Sequence, residues 1–384
     1  MGSKSVPEVR FKGFSGEWDE CKIVDVLNIN SGRDYKHLKK GDIPVYGTGG
    51  YMHSVNDKLS DDDAIGIGRK GTINKPQLLL APFWTVDTLF YMTVKGKNDL
   101  YFLYSLANRI DWKKYDESTG VPSLSKNSIY KISINVPLLR EQTQIGNFFK
   151  QLDETIAFQQ QELDTLKQTK QGFLQKMFPK EGESVPEIRF PGFNGEWEKK
   201  RLKDLATFAK GIGYSKSDIV EEGDPIILYG SLYTKYQTVI EEVDTFTKIK
   251  EKSLISKGYE VIVPSSGETS EDIARASVVK RPGIILGGDL NVIYPCDDIN
   301  SIFLALTISN GKQQKELSRK AQGKSVVHLH NSDLKEVNLY YPKREEQTQI
   351  ASFFKQLDKT IALCEQEIDI LKQTKKAFLQ KMFL

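Results

Sequence analysis

The sequence predicts an α+β protein built as a tandem repeat, in which two domains of mixed helix and strand are separated by two long coiled-coil helices. Three observations predict this architecture: a leader that occurs twice, a helical segment that occurs twice, and two dissimilar segments between them. With 384 residues, the chain also exceeds what one hydrophobic core usually holds, which agrees with two domains of about 150 residues each.

The repeats are nearly exact at both ends of each half. The leader VPEVRFKGFSGEW at 6–18 returns as VPEIRFPGFNGEW at 185–197, 179 positions later. The segment 141–178, which begins EQTQIGNFFKQLDETIA, returns at 346–383, 205 positions later. Because the shift grows, the second middle segment is about 26 residues longer than the first. Near-identical ends with dissimilar middles indicate that the ends share one task and that the middles have two different tasks.

The repeated helical segment has the apolar spacing of a coiled coil, with steps of four, three and four residues from its first isoleucine. The predicted helix-packing residues are Ile145, Phe149, Leu152, Ile156, Leu163, Leu166, Phe173 and Met177 in the first copy, and Ile350, Phe354, Leu357, Ile361, Ile368, Leu371, Phe378 and Met382 in the second. As one helix, residues 141–178 span about 57 Å at 1.5 Å per residue. Two such helices are expected to pack on each other, either parallel or antiparallel. The simpler alternative is that each helix covers only its own domain.

Short strands joined by tight turns are indicated in both middle segments. DIPVYGTGGY and AIGIGRKGTI in the first, and DPIILYG and YEVIVPSSG in the second, are rich in β-branched, aromatic and glycine residues. We therefore expect a first mixed domain at 1–140, a first helix at 141–178, a linker at 179–184, a second mixed domain at 185–345 and a second helix at 346–384.

The composition favours a cytoplasmic protein that does not enter a membrane. The longest apolar runs are far too short to cross a bilayer, and the first residues lack the apolar core of a signal peptide. Three cysteines, Cys21, Cys296 and Cys364, lack zinc-site spacing and are expected to be free thiols. A net charge of +3 neither identifies nor opposes nucleic-acid binding.

Motifs for catalysis are missing. QGKSV at Gln322 resembles the end of a phosphate-binding loop, but the first glycine of that loop would fall on Ser318. The chain has no two adjacent prolines, which excludes the Asn/Asp-Pro-Pro-aromatic motif of amino-methyltransferases. His328 and His330 would share one face of a strand, but no third ligand has the spacing of a metal site. The sequence therefore predicts a protein that is not itself an enzyme and holds no metal.

Basic residues on turns are the remaining candidates for a functional site. Arginine and lysine suit phosphates or guanine edges, and asparagine suits adenine. Such turns are also common as plain solvated loops, so residue type alone does not decide the matter. The candidate DNA-binding residues are Arg69, Lys70, Thr72, Asn74 and Lys75 in the first domain, and Lys210, Tyr214, Lys216, Lys324, Ser325, His328 and His330 in the second.

The sequence resembles the DNA-specificity subunits of type I restriction–modification systems. The leader VPEIRFPGFNGEW, the junctions VPLLREQTQIGNFFKQLDETIA and YPKREEQTQIASFFKQLDKTIA, and the two LKQTK tails carry the resemblance. IGRKGTI and TGVPSLSKNSIYKISINVP also look like parts of that family's target-recognition domains, and QGKSVVHLHNSDLKEVNLYYP is a weaker counterpart in the second half.

The resemblance implies two target-recognition domains separated by antiparallel helices that set the spacing, each domain reading one half of a split DNA sequence. It implies two modification subunits, which bind S-adenosylmethionine and methylate adenine, and motor-nuclease subunits that use ATP and Mg²⁺ to cut DNA. The resemblance further implies that the chain itself needs no cofactor, and that its partners are double-stranded DNA and those subunits.

Two other functions fit parts of the sequence. One alternative is a non-catalytic coiled-coil scaffold with two β-rich domains that bind proteins or glycans. Such a scaffold would show no salt-dependent affinity for duplex DNA. A self-sufficient DNA enzyme is opposed by the missing motifs.

Overall fold

The chain divides into two compact units, which we describe separately. The computed structural model describes residues 6–323 and 326–384. Unit 1 comprises Met1–Gln161 and Gln366–Leu384, and unit 2 comprises Glu162–Glu365. Each unit therefore contains one mixed domain together with a part of both long helices, whereas the sequence-based division treated each helix as a separate whole.

Unit 1 contains nine described strands, which form a four-stranded antiparallel sheet, a three-stranded sheet and one strand pair. The strands are β1 (Asp19–Lys22), β2 (Leu27–Ser31), β3 (Lys40–Gly47), β4 (Gly50–Val55), β5 (Ala64–Gly68), β6 (Gln77–Leu79), β7 (Trp84–Thr85), β8 (Leu89–Val94) and β9 (Ser133–Val136). The helices are α1 (Ile23–Val26), α2 (Leu100–Arg109), α3 (Lys126–Tyr130) and the first part of α4 (Leu139–Lys176), with a 3-10 turn at Trp112–Tyr115. The sheets have the orders β2-β8-β5-β6, β4-β3-β7 and β1-β9.

Unit 2 contains two five-stranded sheets and two strand pairs among its described residues. The strands are β10 (Glu198–Arg201), β11 (Ala206–Lys210), β12 (Ile219–Val220), β13 (Asp224–Ile227), β14 (Val239–Ile240), β15 (Phe246–Thr247), β16 (Leu254–Ile255), β17 (Glu260–Pro264), β18 (Ser266–Gly267), β19 (Ser277–Val279), β20 (Ile285–Leu286), β21 (Leu290–Pro295), β22 (Val327–His328) and β23 (Asn338–Tyr341). The helices are the last part of α4, α5 (Ser231–Thr234), α6 (Ser270–Ile273), α7 (Ser301–Ser309), α8 (Gly311–Lys320), α9 (Asn331–Lys335) and the first part of α10 (Arg344–Lys381), with 3-10 turns at Leu202–Asp204 and Lys216–Asp218. The sheets have the orders β11-β21-β17-β19-β14, β12-β15-β13-β20-β16, β10-β23 and β18-β22.

The main sheets of the two units correspond strand for strand, although their sequences do not align. The order β2-β8-β5-β6 in unit 1 matches β11-β21-β17-β19 in unit 2, which adds β14 at the edge. Gly41 and Gly223 are equivalent, because a Cβ on either would lie about 2.5 Å from a carbonyl oxygen of a neighbouring segment. Gly68 and Pro264 are equivalent, because each ends its strand opposite the first residue of the next strand in the sheet. The difference in residue number between equivalent positions is 182 for the first pair and 196 for the second. Unit 2 therefore has 14 additional residues between these two positions, in the segment that supplies β14.

A cluster of large aromatic rings forms the centre of the core in each unit. In unit 1 the ring of Trp18 lies 5.8 Å from that of Phe102 and 6.2 Å from that of Phe383. In unit 2 the equivalent Trp197 lies 5.6 Å from Phe303 and 6.1 Å from Phe178. The residues that follow α4 therefore pack into the core of unit 2, and the residues that follow α10 pack into the core of unit 1.

The two long helices pack antiparallel within each unit. In unit 1, Phe148 of α4 contacts Phe378 of α10 with 5.0 Å between ring centroids, and further along α4 Asp153 pairs with the earlier Lys375. In unit 2, Lys167 pairs with Glu365 at 2.6 Å, and Phe173 lies 5.1 Å from Phe353. Residue numbers rise along α4 while they fall along α10. The helices are therefore antiparallel and not parallel, a choice that the apolar spacing alone left open.

The predicted helix-packing residues are all buried or half-buried, but several serve the domain cores as well. Ile145, Phe149 and Met382 belong to the main core cluster of unit 1. In unit 2 the corresponding cluster includes Met177, Ile350 and Phe354. The helices therefore combine the two arrangements that the sequence offered as alternatives, since they pack on each other and also cover a domain.

The paired Glu-Gln of the junction fixes each domain to its helix. Gln142 accepts a hydrogen bond from the backbone N of Asp99 at 3.0 Å and donates to Pro137 O at 2.9 Å. Asp99 in turn caps α2 by accepting from Phe102 N. The neighbouring Glu141 forms a buried ion pair with Arg10 of the leader. Glu346 and Gln347 make the equivalent contacts in unit 2. The Glu-Gln pair therefore has the same structural role in both copies.

None of the helices among residues 6–323 and 326–384 is both long enough and apolar enough to cross a membrane.

Candidate nucleic-acid interface

The first candidate loop follows the central strand β5 of unit 1. Every residue of β5 is buried, and the chain reaches solvent at Arg69 and Lys70. Gly68 has no room for a side chain, because a Cβ there would lie 2.1 Å from Thr72 O. Gly71 adopts a φ of +94°, in the left-handed region that favours glycine. The two glycines therefore make the tight turn that presents the basic pair at the end of the sheet.

Backbone hydrogen bonds hold this turn in place on two sides. The N–H of Arg69 donates to Thr88 O at 2.8 Å, ahead of β8. On the other side, Leu124 N donates to Arg69 O at 2.9 Å, and Gly71 N donates to Pro122 O at 2.8 Å. The side chains of the basic pair thus extend from a fixed backbone, which suits a group that must meet DNA in one register.

The remaining candidates of this loop differ in exposure. Asn74 and Lys75 are exposed and Thr72 is half-buried, while Ile73 between them is a core residue that anchors the loop.

Lys126, which no sequence pattern singles out, lies close to the same surface. Its Nζ is 5.8 Å from the centre of the Phe90 ring, and the Arg69 guanidinium is 5.9 Å from the same ring. The Lys126 ammonium is therefore a second cation near Arg69, although the two residues are far apart in the sequence.

Arg33 also reaches this end of the sheet. Its N–H donates to Thr85 O at 2.9 Å, and the preceding Gly32 donates to Leu89 O at 3.1 Å. Because β2 and β5 both pair with β8, the end of β2 that precedes Arg33 and the end of β5 that precedes Arg69 lie at the same end of this sheet. Arg33 has no signal in the sequence, since it stands alone between Gly32 and Asp34 and only the sheet order brings it to this surface.

In unit 2 the position equivalent to Arg69 and Lys70 is occupied by Ser265 and Ser266. Ser265 N donates to Asp289 O at 2.8 Å, and Leu329 N donates to Ser265 O at 3.1 Å, as Thr88 and Leu124 do around Arg69. Ser266 pairs with His328 across the β18-β22 ladder. The same backbone arrangement therefore carries exposed basic side chains in unit 1, and two buried serines beside an exposed histidine in unit 2.

His328 and His330 lie side by side on this surface, as their alternation in the sequence predicted. Their rings are parallel within 4°, with 6.2 Å between centroids, and both residues are exposed. The Nδ1 of His328 is 3.2 Å from Ser266 Oγ. No group of three His, Cys, Asp or Glu side chains able to hold a metal occurs in the described part of the chain. The candidates Lys324 and Ser325 lie outside the described residues.

Tyr214 corrects one of the sequence-based assignments, because it is a core residue. Its side chain is only 7% exposed and packs against Ile226 and Ile285. Its hydroxyl hydrogen bonds to Ser253 Oγ and accepts from Lys250 N at 2.7 Å. The ring and hydroxyl are thus occupied in holding two loops together and are not available to DNA.

Lys210 and Lys216, predicted beside Tyr214, are exposed. Lys210 ends β11, and Lys216 begins a 3-10 turn whose Asp218 binds the ammonium of Lys250 at 2.7 Å. That hydrogen bond is the main reason why the pKa of Asp218 falls to about 2. Lys216 therefore lies two residues from an ion pair between Asp218 and Lys250.

Comparison with known proteins identifies the family. The profile described as type I restriction modification DNA specificity domain matches residues 15–168 and again residues 194–373. The chain belongs to this family. Specificity subunits of type I restriction–modification systems recognise the DNA sequence and do not themselves catalyse a reaction, so the protein-binding or glycan-binding scaffold is not supported.

Individual specificity subunits agree with this assignment. The type I restriction enzyme MjaVIII specificity subunit of Methanocaldococcus jannaschii is 23% identical over 331 residues, covering 83% of this chain and 74% of the relative. The putative type I restriction enzyme MjaX specificity subunit of the same organism is 24% identical over 205 residues, covering 49% of this chain and 45% of the relative.

Solved structures of specificity subunits share the fold. The crystal structure of the type I restriction–modification S subunit from M. genitalium superposes with a TM-score of 0.72 at 13% identity, covering 99% of both chains. A structure from work on complex assembly and conformational transition of the type I R-M system gives a TM-score of 0.53 at 16% identity, covering 95% of this chain and 97% of the other. The predicted fold, two mixed domains with two long antiparallel helices, is confirmed.

Proposed function

We propose that this specificity subunit recognises a bipartite DNA target, in which the domain at 1–140 reads one half-site and the domain at 185–345 reads the other. The observation that supports the proposal is the match between the two sheet ends. Equivalent backbone hydrogen bonds hold the exposed Arg69 and Lys70 in unit 1, whereas in unit 2 they hold buried serines beside the exposed His328. Two surfaces of the same construction with different hydrogen-bonding groups suit two different short sequences.

The proposed DNA contacts combine the predicted residues with those that the sheet order adds. Arginine suits guanine edges, asparagine suits adenine, and lysine, serine and histidine suit phosphates or base edges. In unit 1 the contacts are Arg33, Arg69, Lys70, Thr72, Asn74, Lys75 and Lys126. In unit 2 they are Lys210, Lys216, Lys324, Ser325, His328 and His330.

A cleft in unit 1 whose lining residues recur in the second copy of the sequence supports the docking of two copies of one partner, which we take to be the modification subunit. In unit 1 a cleft of about 370 Å³ between the leader and α4 is lined by Phe11, Thr143, Gln144, Phe148 and Gln151, among others. Phe190, Thr348, Gln349, Phe353 and Gln356 occupy the same places in the second copy. Unlike the Glu-Gln pair before them, the threonine and two glutamines are not buried in the core of their own unit, which leaves their side chains at the surface for a partner.

The chemistry of the assembled complex then belongs to the partners. S-adenosylmethionine would be bound by the modification subunits, and ATP and Mg²⁺ by motor-nuclease subunits. The target adenine would have to leave the base stack to be methylated, and the partner would perform this step. The helices at 141–178 and 346–384 would set the distance between half-sites, and the linker 179–184 would join the first helix to the second domain. Such a complex would work in the cytoplasm.

An exchange of domains tests the proposal. Residues 18–140 are replaced by the corresponding domain of another specificity subunit, the chain is co-expressed with its modification subunits, and methylated adenines are mapped by sequencing. The expected result is a new sequence in one half-site with the other half-site unchanged. A matched exchange of residues 197–345 should alter the opposite half only. If either exchange changed both halves, or neither, the domains would not read independently.

A further inference from the structure

A cleft in unit 1 with three lysines on its rim lies apart from the candidate loops. It has a volume of about 520 Å³, and its lining includes Tyr35, Lys36, Lys39, Lys40, Tyr51 and His53. Clefts of this size accommodate a group as large as a nucleotide. The rings of Tyr35 and His53 form one wall, with 4.4 Å between their centroids, and Tyr51 is 63% exposed.

The lysines extend from a fixed backbone. Lys39 and Asn56 are joined by two hydrogen bonds, Asn56 N to Lys39 O at 3.0 Å and Lys39 N to Asn56 Oδ1 at 2.8 Å. A further bond, from Leu38 N to Tyr35 O at 2.9 Å, closes the turn that contains Lys36. The next residue, Gly41, has no space for a side chain beside Val55 O. The three ammonium groups therefore start from a defined edge of the β3-β4 pair.

The positive charge of this cleft is not neutralised within the described protein. No carboxylate is among the lining residues, and in residues 6–323 and 326–384 none of the three lysines has an acidic partner within 4.0 Å. Asp34 and Asp42 flank the segment in sequence, but neither lines the cleft. An anionic ligand would thus meet ammonium groups that have no competing ion pair.

The equivalent segment of unit 2 has the opposite charge. Gly32 and Gly211 are equivalent, because a Cβ on either would lie about 2 Å from a carbonyl oxygen of a neighbouring segment, and so are Gly41 and Gly223. Between these glycines unit 1 has RDYKHLKK, with four basic residues and one acidic residue, a net charge of +3. Unit 2 has IGYSKSDIVEE, with one basic residue and three acidic residues, a net charge of −2. The basic cleft is therefore a property of unit 1 and not of the shared fold.

The chain segment that lines the cleft begins at the candidate interface. Its segment leaves the main sheet at Arg33, which is bonded to Thr85. The residues 85–88 also hold Arg69 through Thr88. Consequently the lysines begin within a few residues of the surface that we assign to the first half-site.

We propose that this cleft binds the phosphodiester backbone of duplex DNA beside the first half-site, and that unit 2 makes no equivalent contact. This inference rests on the proposed DNA-recognition function. Lysine ammonium groups are compact point charges that bind phosphates and release the counterions of DNA, which gives affinity without sequence information. Unit 1 thus contributes a larger salt-dependent share of the affinity, and unit 2 relies more on contacts to base edges.

The test compares two charge-matched variants of the full chain, each assembled with its modification subunits. The first is Lys36→Gln/Lys39→Gln/Lys40→Gln. The control is Lys22→Gln/Lys95→Gln/Lys97→Gln, which removes the same charge at the opposite end of the main sheet. The equilibrium constant for duplex DNA is measured against salt concentration, on the target sequence identified by methylome mapping and on an unrelated sequence.

The cleft variant should reduce the slope of log K against log salt by about 0.9 for each phosphate that the lysines no longer neutralise, so by up to about 2.7. The loss of affinity should be similar on both DNAs, and the methylated sequence should stay the same. The control should change the slope by much less. A matching Lys36→Arg/Lys39→Arg/Lys40→Arg variant, which keeps the charge, should retain the original slope.

A cleft variant with the slope of the unaltered complex, or of the control, would overturn the inference. A loss of affinity confined to one sequence would also overturn it, since that would make these lysines base readers. The failure of the proposed function has a different signature: the unaltered complex itself would bind target and unrelated DNA equally.

Discussion

Arg10 binds Glu141 through two parallel hydrogen bonds, from Nε to Oε1 and from Nη2 to Oε2, both 2.7 Å long. The third nitrogen of the guanidinium, Nη1, donates to Gly16 O at 2.6 Å. Hydrogen bonding to Glu141 is the main reason why the pKa of Arg10 is raised. Arg189 and Glu346 repeat this geometry in unit 2. One side chain thus joins the leader of each half to the first turn of a long helix.

Arg10→Ala should destabilise unit 1 by about 3–5 kcal/mol, because it leaves the buried carboxylate of Glu141 without its cation. Urea unfolding followed by tryptophan fluorescence would measure the change, since Trp18 is buried in the same unit. Glu8→Ala is the matched control, because it removes an exposed ion pair with Lys381, and surface pairs contribute at most about 1 kcal/mol. Equal effects of the two substitutions would contradict a special role for the buried pair.

Phe383→Ala should selectively destabilise unit 1, and Phe178→Ala should selectively destabilise unit 2. Each ring is buried in an aromatic cluster, and removal of a buried phenylalanine costs about 3–5 kcal/mol. Hydrogen exchange monitored by peptide would show which unit loses protection. Faster exchange around Trp18 in the first variant and around Trp197 in the second is expected. The reverse pattern would contradict the observed packing.

Arg69→Ala and Lys70→Ala should each weaken DNA binding by the assembled complex. Removal of a base contact would cost about 1–3 kcal/mol and relax specificity at one position, whereas removal of a phosphate contact would reduce the salt slope by about one. Titration of duplex DNA at several salt concentrations separates the two outcomes. Unchanged binding by both variants, with an unchanged melting temperature, would show that this turn is an ordinary solvated loop.

Tyr214→Phe should lower stability modestly and leave DNA affinity unchanged. The substitution removes hydrogen bonds to Ser253 and Lys250, each contributing about 1 kcal/mol, but keeps the ring packed in the core. Thermal unfolding and DNA titration of the same preparation would measure both quantities. A specific loss of DNA affinity at full stability would restore Tyr214 as a DNA contact.

Lengthening both helices by one heptad should lengthen the spacer between the half-sites. Because α4 and α10 pack antiparallel, the heptads must be inserted in both, between Gln161 and Glu162 and between Glu365 and Gln366, to preserve the pairing within each unit. Each helix gains about 10 Å at 1.5 Å per residue, which corresponds to at most about three base pairs of 3.4 Å. Methylome sequencing should show unchanged half-sites with a longer spacer. An active variant that methylated sites with the original spacing would show that helix length does not set the distance between the half-sites.

The architecture was predictable from the sequence because the leader and the helices are nearly identical copies, whose shifts reveal the tandem repeat directly. The site was only partly predictable. Arg69 and Lys70 stand out between glycines, but Arg33 reaches the same surface only through the order β2-β8-β5. Tyr214 looked like a member of a basic turn because its burial depends on Ile226 and Ile285, which are distant in sequence. The equivalence of Ser265 with Arg69 is likewise visible only in their matching backbone hydrogen bonds, because the two sequences are not similar there.

The packing of Phe383 against Trp18 also bears on the order of folding during translation. All of unit 2, residues 162–365, emerges from the ribosome before the segment that completes unit 1. The first domain therefore cannot complete its aromatic core until Phe383 has been synthesised. The second domain can complete its own core around Phe178 before that point. Since folding that depends on distant contacts is slow and leaves apolar surface exposed, nascent chains stalled within α10 should engage chaperones through the domain that was synthesised first.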